Sequence, residues 1–275
     1  MKKTLLLMGL GLASISFAHA ENRLFPTDIL SKGEVDARIT FDHQNYSENM
    51  RGNGFQGISS LDYTFETIQV RYGLGANWHV GASLNDAPKY ENQTAYSNPP
   101  KNYVSTSSEG RQNPSIWLKY GVFDDKSSPL SLSGQMTISP NTTGKASSYS
   151  GEISAGWKSS DTLKLFANLV TTTSRNQDAR NTDSIEIGAY ENITENITLI
   201  PHLRVRRLQG TNLVTPMTRF EIGLSSDIQI SKGTYLIPDI SRYRNNSWDS
   251  KDGVFHYEPM TNGHDVSLAL YHLFK

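Results

Sequence analysis

The chain has 275 residues, with 26 basic and 27 acidic side chains and no cysteine. This near-balance gives no support for nucleic acid as a partner, and the lack of cysteine excludes disulfides, thiolate metal sites and a thiol nucleophile. Beyond the N-terminus no apolar run is long enough for a transmembrane helix, and mean hydropathy is −0.48. A membrane barrel stays open, because only alternate residues of its strands meet lipid.

The N-terminus reads as a secretory signal. Met1-Lys2-Lys3 is a basic start, Thr4 to Phe17 a short apolar run and Ala18-His19-Ala20 a small-residue cleavage site. Cleavage after Ala20 removes two of the 26 basic residues, Lys2 and Lys3, and leaves the exported part mildly acidic. Residues 21–32 have no period and contain Pro26, so they read as a periplasmic lead-in. Residues 33–275 then form one domain.

From Gly33 the hydropathy alternates with period two, the mark of strands with one apolar and one wet face. Val35, Ala37, Ile39 and Phe41 share one face, with Asp36, Arg38 and Asp42 on the other. Residues 47–57 read as a polar loop. The next strand has Leu61, Tyr63 and Phe65 in one apolar row, continued by Ile68, Val70 and Tyr72 after a phase slip near Glu66, which predicts a bulge there. A turn at residues 73–77 leads to a strand with Trp78, Val80, Ala82 and Leu84 outward. Residues 85–112 read as the longest loop.

Further strands follow around Ile116–Val122, Leu130–Ile138, Tyr149–Trp157, Leu163–Leu169, Ile185–Ala189, Leu199–Val205 and Phe220–Leu224. Residues 225–233 are blurred, and the strand around Tyr235–Arg242 holds Pro238, which cannot donate to a ladder. After a loop at residues 243–263, the chain ends in the alternating strand His264–Phe274. An unpaired final strand would leave an open edge, and pairing it with the first strand closes the sheet. The fold class is therefore all-β, a transmembrane antiparallel barrel of about twelve strands preceded by a cleaved signal peptide. Short turns on one side and long loops on the other fit that architecture.

Two sets of residues carry the functional reading. Asp36, Arg38, Lys119, Glu152, Glu186, His202, Arg204, Arg206, Arg219 and Glu221 fall on the wet face and are expected to line a lumen and set its selectivity. Tyr72, Trp78, Tyr120, Trp157 and Phe274 fall at short-turn ends on the apolar face, where they would form an interfacial girdle.

The final strand, ending in an aromatic residue before Lys275, resembles the terminal signature of bacterial outer-membrane barrels, which implies the barrel-assembly machinery as a partner. Leu30-Ser31-Lys32-Gly33-Glu34, Arg71-Tyr72-Gly73-Leu74 with Val80-Gly81, and Pro140-Asn141-Thr142-Thr143-Gly144 together resemble the outer-membrane proteins of the "MetA-pathway of phenol degradation" family. Asn113-Pro114 departs from that family's pattern, as does Gly75-Ala76-Asn77. The resemblance implies a Gram-negative outer-membrane barrel passing small, often aromatic, molecules.

Catalytic chemistry has weak support. His264, Asp265 and Ser267 are the right types for a hydrolase but lack the expected order, while Asp178, Asp249, Asp252 and His256 are the right types for a rim protease with nothing to order them. Histidines are scattered, so no metal or cofactor is expected. The sequence reading is a non-enzymatic outer-membrane channel for small solutes, aromatic or hydrophobic ones among them, with outer-membrane lipid as its surroundings. A barrel acting through its outer loops in binding, adhesion or a structural role is the alternative, and a barrel hydrolase the weaker third.

Overall fold

The computed structural model describes residues 24–52, 55–97, 100–107, 110–123, 128–143, 146–176 and 179–274. The expected signal peptide and its cleavage site lie outside the described residues. Among the described residues every regular element is a strand. In chain order these are β1 (Val35–Gly52), β2 (Phe55–Gly75), β3 (Trp78–Ser97), β4 (Pro100–Ser107), β5 (Gly110–Arg111), β6 (Ser115–Phe123), β7 (Leu130–Ser139) and β8 (Ser148–Lys158). They continue as β9 (Leu163–Ser174), β10 (Thr182–Thr194), β11 (Ile197–Leu208), β12 (Met217–Ser231), β13 (Thr234–Asn245), β14 (Trp248–Asp249), β15 (Phe255–Tyr257) and β16 (Met260–Phe274).

Twelve of these strands, β1 to β3, β6 to β13 and β16, form one antiparallel sheet that closes on itself. The seam is the pairing of β1 with β16, from Val35 opposite Phe274 to Asn45 opposite His264. Closure leaves no strand edge, which is what a spanning sheet needs in a solvent without hydrogen-bonding groups.

Two expected loops are largely strand. β1 runs on to Gly52 and β2 starts at Phe55, and these ends pair through Gly52 opposite Phe55. Residues 85–112 fold as the end of β3 with β4 and β5 paired along it. The loop expectation rested on polarity, but a strand beyond the bilayer has no lipid to face. It can be polar throughout and still satisfy its backbone in a ladder.

The expected bulge in β2 is also relocated. The β1–β2 register is continuous from Val35 opposite Tyr72 to Gly52 opposite Phe55. Leu61, Tyr63 and Phe65 therefore point inward, on the face opposite Ile68, Val70 and Tyr72. The apolar row changes face near Glu66, and Tyr63 and Phe65 stack on each other inside with ring centroids 6.0 Å apart. The irregularity is in β3, where Ala87 and Pro88 lie between the pairs Thr64–Lys89 and Glu66–Asp86.

Prolines in the wall follow one rule. Pro238 of β13 is opposite Leu268 of β16, but towards β12 the ladder skips from Ser225–Asp239 to Ile228–Leu236. Pro201 of β11 sits in a similar skip, between Gly188–His202 and Glu191–Leu199. A residue with no N–H is tolerated where the ladder has already opened. The blurred stretch around residues 225–233 is β12 continuing into a two-residue turn at Lys232-Gly233. The turn between β2 and β3 is Ala76-Asn77, with φ of 50° and 64°, the pair of positive values that a type I′ hairpin demands.

The outer surface is apolar. Ile39, Phe41, Ile68, Val70, Ile116, Leu118, Ile185, Ile187, Leu203, Val205, Phe220, Ile222, Leu224, Val266, Leu268 and Leu270 are between 40% and 61% exposed. At roughly 1.5–3 kcal/mol for a whole apolar side chain, sixteen half-exposed ones would cost on the order of 10–25 kcal/mol in water. That exceeds the roughly 5–15 kcal/mol net stability of a folded domain. Hydrocarbon is the solvent this surface fits. From Phe220 to Ile230 the outward face of β12 runs about 34 Å along the strand, or roughly 24 Å of depth at a 45° tilt, close to the apolar band of membrane barrels.

Leu224→Arg, on this belt, is expected to destabilise the barrel by about 2–4 kcal/mol in guanidinium titrations of the protein in lipid vesicles. Asn45→Lys, outward but beyond the belt, should change stability by no more than about 0.5 kcal/mol.

Candidate functional site in the barrel lumen

Period-two alternation places every second wall residue inside, and the inward set is rich in charge. All ten residues expected on the wet face point into the lumen. At the short-turn end the Arg71 Nε donates to both carboxylate oxygens of Asp36, at 2.9 and 3.1 Å, and the Tyr271 hydroxyl donates to Asp36 Oδ2 at 2.9 Å. Higher up, Arg204 bridges two strands, 3.0 Å from Glu186 and 2.8 Å from Glu221. His202 lies 4.0 Å from both Glu221 and Asp239. Arg219 donates to Asn245 Oδ1 at 3.0 Å and stacks over the Tyr243 ring at 4.3 Å. Arg206 is its cross-strand neighbour. Glu152 accepts from Ser154 at 2.8 Å.

The five aromatic residues read as a girdle are all outward at the short-turn end, between 37% and 50% exposed. Trp78 and Tyr120 are register partners with ring centroids 4.6 Å apart, and Phe274 and Tyr72 flank Val35 on either side.

What sequence reasoning missed is the lead-in. Residues 24–32 do not hang below the barrel; they cross its lumen from wall to wall. Phe25 packs edge-on against Tyr190 and Phe166, with centroids 4.9 and 6.3 Å away. The Tyr190 hydroxyl donates to the Leu24 carbonyl at 3.1 Å, and Thr27 shares a 2.7 Å hydrogen bond with Ser131. Lys119 and Ser133 both donate to the Pro26 carbonyl. At the other side Leu30 is 1% exposed among Tyr235, Ile237, Ala269, Tyr271 and Leu273.

Wall glycines make room for this segment. A Cβ at Gly156 would meet the Phe25 ring at 2.4 Å, and one at Gly73 would meet the Ser31 carbonyl oxygen at 1.8 Å. The segment is tied to the barrel by Gly33 N–H to Gly73 O and Gly73 N–H to Glu34 O, both 2.9 Å. The available sequence signal was Leu24, Phe25, Ile29 and Leu30, four apolar residues in a stretch too short to form an element of its own.

The plug divides the interior. Below it a cavity of about 840 Å³ opens among the short turns, with Lys32, Asn77, Asp161 and Glu195 on its walls. Above it a second cavity of about 360 Å³ is bounded by Leu24, Pro26, Arg38, Asp42, Glu186, His202, Arg204, Glu221, Asp239 and Asp265. Asp227, Asp239 and Asp265 are lumenal acids outside the set expected to line the lumen, with Asp265 weighed for catalysis alone. Two of them were hidden by the blurred register around Pro238.

At the long-loop end Trp248 stacks on Tyr257 with centroids 3.7 Å apart and donates to Glu48 at 3.3 Å. Arg180 lies over Trp248 and donates to the Thr215 carbonyl at 2.6 Å, joining three loops. Asn113 accepts from the Thr142 and Thr143 backbone N–H groups, both at 3.2 Å, and so holds the β7–β8 loop.

Among the described residues the hydrolase candidates do not come together. His264 is exposed on the outer face of β16, whereas Asp265 and Ser267 point inward. His256 and Asp249 do pair, at 2.6 Å, while Asp252 accepts from Ser250 and the Val254 N–H, which holds its carboxyl below the usual range. Asp178 lies outside the described residues. Among the described residues no three His, Asp or Glu side chains are arranged to hold a metal.

Comparison with known proteins places the fold alone. A crystal structure of an outer-membrane channel from Pseudomonas putida F1 is similar over 90% of this chain and 98% of that one, with a TM-score of 0.57 at 8% identity. The KdgM porin in complex with disordered oligogalacturonate is similar over 86% of this chain and 99% of that one, with a TM-score of 0.51 at 8% identity. No family profile matches the chain, and no curated protein matches it in sequence. The chain has the closed barrel of outer-membrane channels and porins; the narrower family likeness of its short motifs has no such support.

Because the plug crosses and narrows the lumen, removing residues 24–31 is expected to raise the single-channel conductance of the reconstituted barrel several-fold. Leu30→Ala, which gives up about 2–5 kcal/mol of buried packing, should produce the same open level intermittently. Unchanged current traces in both would mean that ions bypass the segment.

Proposed function

We propose that the chain is an outer-membrane channel through which small polar solutes pass down their own gradients. The observation that carries this reading is a hydrocarbon-facing closed barrel around a charge-lined interior, with polar cavities on both sides of the plug. The short turns and the plug face the periplasm, and the long loops face outward, as the usual architecture of such barrels requires. Export by the N-terminal signal and recognition of β16, ending in Phe274, by the barrel-assembly machinery belong to the same reading. Tyr72, Trp78, Tyr120, Trp157 and Phe274 act as the periplasmic-side girdle.

The lumenal charges act as the filter. Arg204 is compensated by Glu186 and Glu221, so selectivity rests on side chains without a carboxylate partner, chiefly Arg206 and Arg219. The lining supports polar cargo over the aromatic molecules that the phenol-degradation family likeness suggests. A second reading, a binding platform on the outer surface, is supported by the folded extension of β1 to β4 and by the loops joined through Arg180.

Single-channel recording across a salt gradient separates the two. Discrete conductance steps are expected, and a correctly inserted but silent barrel would favour the platform. Arg206→Glu should move the reversal potential towards cation preference, because it replaces an uncompensated positive charge in a narrow, low-dielectric passage. An unmoved reversal potential would remove Arg206 from the filter.

A further inference from the structure

The cavity above the plug holds unanswered groups of both signs. Arg38 Nε, Asp42 Oδ1 and Asp265 Oδ1 are buried with no hydrogen-bond partner among the described residues, and all three side chains line this one space. Of the other charges around it, Arg204 pairs with Glu186 and Glu221, while Asp227 and Asp239 face the same space, Asp239 with His202 at 4.0 Å. Asp265 accepts a 3.1 Å hydrogen bond from the Gln44 side chain at its Oδ2 and lies within hydrogen-bonding reach of the Asp42 carboxyl.

The register shows why these groups lack partners. Asp42 is opposite Ser267 and Gln44 is opposite Asp265, so the two aspartates sit diagonally on neighbouring strands and face the same space. Like charges in that relation repel, and each buried unmatched polar group costs about 1–3 kcal/mol. Arg38 is four residues from Asp42 on the same inward face of β1, about 13 Å away along the strand. The guanidinium and the carboxylate pair are thus separated along the barrel axis with room between them.

We propose that this cavity is a binding site for a small zwitterion, with its carboxylate on Arg38 and its ammonium between Asp42 and Asp265. A lone anion would answer Arg38 and leave the aspartates unmatched, and a lone cation would do the reverse. A neutral solute would displace water from all three without replacing its hydrogen bonds. Only a ligand carrying both charges answers Arg38 and the two aspartates together and leaves the net charge of the cavity unchanged. The space, about 360 Å³, equals roughly twelve waters at ~30 Å³ each, enough for an amino acid of a few carbons. The separation of the two poles favours an ω-amino acid over one whose charges share a carbon. The site deepens the channel reading and rests on it, because the ligand would be a solute in passage.

The test uses the folded protein purified from membranes and inserted into planar bilayers. γ-Aminobutyrate is added, and butyrate, butylammonium and butyramide serve as analogues with one charge or none. γ-Aminobutyrate should reduce the ion current at a concentration about tenfold or more below any analogue, the worth of one charge-assisted hydrogen bond. Arg38→Gln, Asp42→Asn and Asp265→Asn, each checked for folding by heat-dependent gel mobility, should each abolish that advantage. A conducting barrel blocked alike by all four compounds would overturn the site and leave the channel reading intact. If the inserted barrel carries no current, the channel reading fails, and calorimetric titration in detergent decides the site alone. Heat of binding with γ-aminobutyrate that Arg38→Gln loses would sustain it, and its absence would overturn it.

Discussion

The rest of the structure depends on the seam between β1 and β16. In hydrocarbon an unpaired backbone N–H or carbonyl costs several kcal/mol, so a sheet with an apolar outer face has to close. The eleven pairs from Val35–Phe274 to Asn45–His264 do so. Closure fixes everything inside. It turns one face of every strand into a shared interior, brings Asp36 of the first strand within reach of Tyr271 of the last, and lets charges from distant parts of the chain meet. The arginine and glutamate network on β10, β11 and β12 joins direct register partners, Glu186 opposite Arg204 and Arg204 opposite Glu221, on the face that closure turns inward.

The plug belongs to the same constraint. A twelve-stranded wall encloses more space than its inward side chains fill, and the segment 24–32 occupies part of the remainder. It does so with two apolar anchors, Phe25 and Leu30, one at each wall, and with backbone carbonyls turned towards Lys119, Ser133 and Tyr190. The wall is shaped to match. Gly73 and Gly156 stand where any side chain would collide, and the ladder skips at Pro201 and Pro238 flank Tyr190, Ile200, Asp227 and Ile237, which surround the plug. Strand irregularity and plug contact thus coincide, with the less regular part of the wall being the part that has something inside to pack against.

The barrel was legible in the sequence because lipid imposes a strict alternation, and within the belt the facing of Val35 to Phe41, Trp78 to Leu84 and Leu199 to Val205 could be read directly. Legibility ended where lipid does. Beyond Glu66 the apolar residues of β2 lie on its inner face, so Leu61, Tyr63 and Phe65 looked like a continuation of the outer row after a slip. The polar ends of β1 to β4 looked like loops because nothing apolar marked a face. Asp239 was obscured by Pro238, whose place in the wall depends on a ladder gap that no local signal announces. The plug was illegible for a different reason. Its apolar residues have no period, and only the finished barrel supplies the walls they fit.

The plug remains joined to the wall it blocks. Between Ser31 and the first residue of β1 lie only Lys32, Gly33 and Glu34, so the segment never diffuses away from its own binding site. A tether that short gives an effective local concentration in the millimolar range. Contacts that would make a free peptide a poor ligand are then enough to keep the lumen occupied most of the time. The same arithmetic makes the balance sensitive, since each lost contact of about 1.4 kcal/mol lowers the ratio of occupied to vacant lumen tenfold with no change in the amount of protein present. The barrel therefore carries its own resident ligand, held by covalent proximity more than by strength of binding.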